Sequence, residues 1–129
     1  MCGIAGFVNK NIKNKEEVIK KMADRIKYRG PDGEGYFIDD EVALAHRRLA
    51  IIDLSSGGQP QYNEDKSLVI VFNGEIYNHL DIRKELEGEY KFKTGSDCEV
   101  ILALYKKKGI DFLEDLNGIY AFALYDSKK

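Results

Sequence analysis

Apolar and polar positions along the chain change period several times, and each change marks an element. Val18, Ile19, Met22 and Ile26 recur at helical spacing, which predicts a helix over 15–28. Arg29-Gly30-Pro31-Asp32-Gly33 is turn chemistry that ends it. Residues 4–8, 35–38 and 42–52 read as strands, and 53–61, with its Ser, Gly and Pro, as a loop. The apolar, β-branched run 68–72 predicts another strand. Asn78 opens a second helix that ends by Gly88. Ser96 and Glu99 have capping-box spacing for a third, which Gly109 closes. Residues 111–116 read as a short helix or turn and 119–125 as the last strand. Strands and helices mix without strict βαβ alternation, so the expected class is α+β.

A length of 129 residues suits one domain, and a hydrophobic share of 43% is enough for a core. Charged residues make up 33%, but their signs nearly cancel to −2, which argues against a nucleic-acid partner. The cluster Lys106-Lys107-Lys108 sits at an expected helix C-terminus, where cations complement the dipole. No apolar run is long enough to span a membrane, and the N-terminus lacks a signal-peptide pattern. Cys2 and Cys98 are too few for a disulfide scaffold, so a cytoplasmic location is expected. No Cys/His cluster has metal-ligand spacing, and no Walker loop is present, so no metal, ATP or other cofactor site is expected in this chain.

The stretch Met1-Cys2-Gly3-Ile4-Ala5-Gly6 changes that plain picture. Methionine removal tolerates a small second residue, so Cys2 is a candidate N-terminal residue. An α-amine titrates at about 7.7–8.0 and a free thiol at about 8.5, so proton exchange between them is nearly balanced. One residue then supplies both nucleophile and base, without a catalytic histidine. The plainer reading of Cys2 is a small apolar residue that opens a strand.

Two further segments offer binding groups. The strand 69–72 runs into Asn73-Gly74-Glu75, where the Asn73 amide and the Gly74 N–H form a candidate oxyanion-binding pair. On the dipeptide alone, an Asn-Gly hairpin turn is the better reading. Arg48 lies among apolar residues and needs a partner, either a substrate carboxylate or an internal ion pair. Strand alternation puts Arg47 and Arg48 on opposite faces. Asp97 either favours the dipole of the helix it begins or holds a substrate ammonium. Arg48 and Asp97 together would grip both charged ends of a free amino acid. His46 and His79 read as structural or solvent-facing, and Cys98, beside Ile101 and Leu102, as core.

Taken in order, these segments resemble the class II glutamine amidotransferases, most closely the asparagine synthetases. The matching segments are Met1-Cys2-Gly3-Ile4-Ala5-Gly6, Arg29-Gly30-Pro31-Asp32-Gly33 and His46-Arg47-Arg48-Leu49-Ala50-Ile51-Ile52-Asp53. They continue with Gly57-Gly58-Gln59-Pro60, Phe72-Asn73-Gly74-Glu75-Ile76-Tyr77-Asn78, Gly95-Ser96-Asp97-Cys98-Glu99 and Leu116-Asn117-Gly118-Ile119-Tyr120-Ala121-Phe122-Ala123. The resemblance implies an N-terminal-nucleophile hydrolase fold, an αββα sandwich of two antiparallel sheets. It implies a glutaminase domain over 1–129 that is incomplete at its C-terminus and lacks the synthetase domain. Cys2 is then the nucleophile, Asn73 and Gly74 the oxyanion donors, and Arg48 the carboxylate partner. Glu75 and Asp97 take the ammonium, while the backbone of Leu49, Ala50, Ile51 and Ile52 lines the pocket.

The implied reaction is hydrolysis of glutamine, with ammonia passing to a synthetase domain in cis or trans that makes asparagine from aspartate. ATP and Mg belong to that other domain, and a homodimer is among the assemblies the resemblance allows. Two other readings stand beside it. One is a catalytically silent fragment that binds glutamine or docks on a partner. The other is an amidotransferase with a different ammonia acceptor.

Overall fold

The computed structural model of the chain describes residues 2–49 and 58–129. Three strands form a first antiparallel sheet: β1 (Gly3–Val8), β2 (Gly33–Ile38) and β3 (Val42–Arg48), in the order β1-β3-β2. A second antiparallel sheet holds β4 (Gln61–Tyr62), β5 (Leu68–Ile76) and β6 (Gly118–Asp126), in the order β4-β5-β6. The helices are α1 (Lys15–Arg25), α2 (His79–Leu86) and α3 (Glu99–Lys108).

Alternation along two strands turns these pieces into four layers. On β3, Ala43 and Ala45 join Ile19 and Ala23 of α1, while Val42 and Leu44 face Val69 and Val71 of β5. On β5 the alternate residues Leu68, Ile70 and Phe72 face the other way, into a larger core with Ile82 and Leu86 of α2 and most of α3. The order is therefore α1, first sheet, second sheet, α2 with α3, an αββα sandwich of the α+β class. Each large side chain fully buried here contributes about 1.5–3 kcal/mol relative to exposure.

Several boundaries differ from the sequence expectation for local reasons. The first helix ends at Arg25, and a 3-10 turn at Lys27–Arg29 takes up the rest. Gly30 then passes so close to the Arg47 main chain that a Cβ would lie 2.3 Å from its carbonyl carbon. The strand expected over 42–52 is a strand to Arg48, and its last residues lie outside the described ones. Ser96 and Glu99 do not form a capping box, because Glu99 is turned to the preceding loop, where the Lys93 and Thr94 amides donate to it. Asn78 also looks away from its helix. Its Nδ2 donates to the Asp115 carbonyl and its Oδ1 accepts from the Asn117 N–H. Lys106, Lys107 and Lys108 do end α3, with Gly109 at φ 65° closing it.

Candidate functional site

The first sheet carries the cysteine. Gly3 pairs with Arg47, so Cys2 stands beside the end of β3. Its side chain is directed at the next residue there, with the Leu49 N–H donating to Sγ at 3.4 Å and the Leu49 carbonyl 4.0 Å from Sγ. The Arg29 guanidinium donates to the Cys2 carbonyl at 3.1 Å. Ile4 packs into the core between the sheets, and alternation continues that inward face back to Cys2.

Alternation also separates the two arginines. Arg47 points to the outer face, where it bonds Glu34 of β2 and the Gly30 carbonyl. Arg48 continues the inner row of Val42, Leu44 and His46, and its carbonyl accepts from the Asp32 N–H at 2.9 Å. It lines a small pocket of about 150 Å³ with Asp32, Gly33, His46, Gly58 and Gln59.

The second sheet carries the proposed oxyanion pair. Asn73-Gly74 is no hairpin turn. Both residues lie within β5 and pair with Ala121 and Tyr120 of β6. Gly74 has φ 148°, and a Cβ there would lie 2.2 Å from the Ile119 carbonyl oxygen, so only glycine fits. Asn73 follows Val69 and Val71 on the inner face of its sheet.

Asp97 joins the same end of β5. Its Oδ2 accepts the Ile76 N–H at 2.9 Å. Gly74, Glu75, Ile76, His79, Gly95 and Asp97 line one cleft of about 390 Å³. Two carboxylates at one mouth give it a negative character suited to a cation. The sequence suggested a first-turn position for Asp97, but α3 begins at Glu99 with Cys98 as its N-cap, so Asp97 precedes the helix and its carboxylate is tied to the strand end.

The sheets are joined just before Asn73 by polar bonds. His46, 1% exposed, bonds the Phe72 carbonyl through Nε2 at 3.1 Å. Gln59 accepts the Phe72 N–H at 2.6 Å. Burial holds the His46 imidazole down to about 4, with the Arg48 charge adding to that and the Phe72 bond opposing it. His46 is therefore neutral at ordinary pH and structural, the first of the two roles the sequence left open, with its Nε2–H donating to Phe72. Val42 and Leu44 face Val69 and Val71, and His46 meets Phe72, so the ends of β3 and β5 lie at one end of the sandwich.

Cys98 is 1% exposed and bonds the Gln61 Oε1 at 3.1 Å. Burial pushes its thiol up to about 12, which makes it a core residue and a poor nucleophile. Of the expected site residues, Cys2 and Leu49 are in contact, and Gly74, Glu75 and Asp97 share a cleft. Arg48 lines a separate pocket, and Ala50, Ile51 and Ile52 lie outside the described residues. Gln59 has a role that residue patterns did not reveal, although its place in Gly57-Gly58-Gln59-Pro60 was a signal. Among the described residues no helix is long and apolar enough to cross a membrane.

Comparisons with known proteins bear on the family and the fold. The family described as a glutamine amidotransferase domain matches residues 1–129. Asparagine synthetase B (glutamine-hydrolyzing) of Escherichia coli (strain K12) is 50% identical over 133 residues, which takes in 100% of this chain and 24% of that protein. Asparagine synthetase (glutamine-hydrolyzing) 2 of Bacillus subtilis (strain 168) is 48% identical, over 100% of this chain and 18% of its own length. The chain thus spans about a quarter or less of the curated relatives it matches. Among solved structures, the glutamine phosphoribosylpyrophosphate (PRPP) amidotransferase from B. subtilis, complexed with ADP and GMP, superposes with a TM-score of 0.73. That match is 21% identical and covers 98% of this chain and 35% of the other, so the likeness is one of fold. The sandwich is that of the N-terminal-nucleophile hydrolases.

Proposed function

The chain belongs to the glutamine amidotransferase family, and from that premise we propose that it hydrolyses glutamine to glutamate and ammonia through a γ-glutamyl thioester on Cys2. With Met1 removed, the Cys2 α-amine takes the thiol proton and the sulfur attacks the side-chain amide carbon. The Asn73 amide and the Gly74 N–H receive the oxyanion. The amine then returns the proton to the departing nitrogen, and ammonia leaves as the thioester forms. Water attacks the thioester, the amine takes a proton from it, and glutamate departs with the thiol restored.

Substrate grip follows the charges. Arg48 binds the α-carboxylate, and Asp97 with Glu75 binds the α-ammonium. The Leu49 backbone, whose N–H reaches the Cys2 sulfur, is the described part of the pocket wall that the family resemblance implies. The observation that carries this reading is the shared end of the sandwich: Cys2 stands beside the end of β3, and the inner row of β3 meets β5 through the His46 bond to Phe72, the residue before Asn73. The names of the relatives extend the proposal: the ammonia serves a synthetase domain in cis that forms asparagine from aspartate. ATP and Mg are that domain's ligands.

The test is glutamate release from glutamine by the parent chain and by Cys2→Ala, with Cys98→Ala as control. Loss confined to Cys2→Ala supports the proposal. Equal turnover in Cys2→Ala excludes it. Glutamine binding without release by the parent chain would favour the silent fragment.

A further inference from the structure

The loop that carries Asp97 is gripped on both sides by side chains of opposite charge. Arg83, half-buried on α2, donates Nη1 to the Thr94 carbonyl and Nη2 to the Ser96 carbonyl, each at 2.8 Å. The same guanidinium lies over the Phe92 ring, 4.4 Å from its centroid. Glu99, 2% exposed, accepts from the Lys93 N–H at 2.7 Å, the Thr94 N–H at 2.8 Å and the Thr94 hydroxyl at 2.7 Å. Thus the carbonyls of the loop go to the cation and its N–H groups go to the anion.

A further polar tie runs from the Ser96 hydroxyl to Gln61 Oε1 at 3.1 Å, while the tip at Gly95 is open. A Cβ added at Gly95 would meet no atom within 4 Å. Loop order there comes from directed polar bonds, and Glu99 is buried to make them. Burial of a carboxylate is costly, and an apolar side chain would serve the α3 core as well. What the charged pair adds is geometry. Past Thr94, both Gly95 and Asp97 form part of the cleft with Gly74 and Glu75, and Asp97 reaches the Ile76 N–H at 2.9 Å.

We propose that Arg83 and Glu99 are positioning residues for substrate recognition, which hold 94–96 so that the Asp97 carboxylate faces the α-ammonium. This rests on the glutamine reading above. A guanidinium suits the role because its fork reaches two carbonyls at once, whereas a lysine is a point donor. Neither residue touches substrate. Their effect passes through Asp97 alone, so it falls on amino-acid recognition and not on the reactivity of the Cys2 sulfur.

The test compares two reagents on Cys2. Iodoacetamide needs only an accessible thiol, whereas the diazoketone analogue of glutamine, 6-diazo-5-oxo-L-norleucine, needs its amino-acid end recognised. In Arg83→Lys and Glu99→Gln, modification by the analogue is expected to slow about 10- to 100-fold. Iodoacetamide should react within about twofold of the parent rate, since no transition-state grip is involved. Glutamine KM rises while kcat changes less. Arg83→Lys should be impaired although its charge is kept, which separates the fork from simple electrostatics.

Equal slowing with both reagents, or no slowing with either, overturns the proposal. The near-isosteric Glu99→Gln keeps one acceptor and tests the other side of the clamp if Arg83→Lys unfolds by circular dichroism. A parent chain that reacts with iodoacetamide but never with the analogue would instead overturn the glutamine reading, and this inference with it.

Discussion

Leu49 donates its main-chain N–H to the sulfur of Cys2 at 3.4 Å, joining the start of β1 to the residue after β3. The contact aims the thiol at the end of the first sheet, next to Arg48. Cys98, by contrast, has its sulfur sealed in the α3 core with burial raising its thiol to about 12. Iodoacetamide at neutral pH should therefore label Cys2 and spare Cys98 until urea unfolds the chain. Peptide mass mapping reads this directly, and early label on Cys98 would contradict the assignment.

Replacement of Asn73 removes one of the two proposed oxyanion donors. Loss of a single such donor lowers kcat by about 10²- to 10³-fold. Asn73→Ala should show that loss with little change in KM, since the donor acts on charge that develops after binding. Steady-state glutamate release is the measurement. An unchanged kcat would remove Asn73 from the reaction.

Gly74→Ala should fail for two independent reasons. Its φ of 148° disfavours any side chain, and a Cβ would sit 2.2 Å from the Ile119 carbonyl oxygen in the neighbouring strand. The expected destabilisation exceeds about 1 kcal/mol, read as a lower urea midpoint. Gly95→Ala meets open space and serves as the neutral comparison. If both variants melt alike, the close approach of β5 and β6 is not as described.

His46 gives stability a pH dependence of known sign. Its folded value of about 4 lies below the ordinary 6.5, so the unfolded chain binds the extra proton between those values. Stability from this group is complete above pH 6.5 and is lost as pH falls towards 4. The slope reaches at most about 1.4 kcal/mol per pH unit, and the total is about 3 kcal/mol. His46→Gln keeps a donor for Phe72 and should flatten this part of the curve. Denaturation midpoints taken from pH 7 to 4 check it.

Much of this architecture was legible in the residues. Period and turn chemistry gave the α-helices and the longer strands: α1 buries one face at helical spacing, and β5, covered on both faces, is a near-continuous apolar run. β4, two residues long at Gln61–Tyr62, was too short to show any period. The Asn73-Gly74 dipeptide misled on local grounds. Its strand conformation comes from pairing with β6, some 45 residues away, which no window around the dipeptide contains. The same holds for Glu99, whose spacing from Ser96 suits a cap. A loop held by Arg83 claims its carboxylate first.

The proposed machinery is divided between two plates. Cys2 and Arg48 ride on one, and Asn73, Gly74 and Asp97 on the other. Between them lie Val42, Leu44, Val69 and Val71 with the Phe37, Tyr62 and Tyr125 rings, contacts that have little direction, whereas the His46 bond to Phe72 has one. A shear of an ångström or so would leave both plates folded and yet put the sulfur out of line with its oxyanion donors. Turnover would then be the first property lost on warming, with misalignment and not melting as its cause.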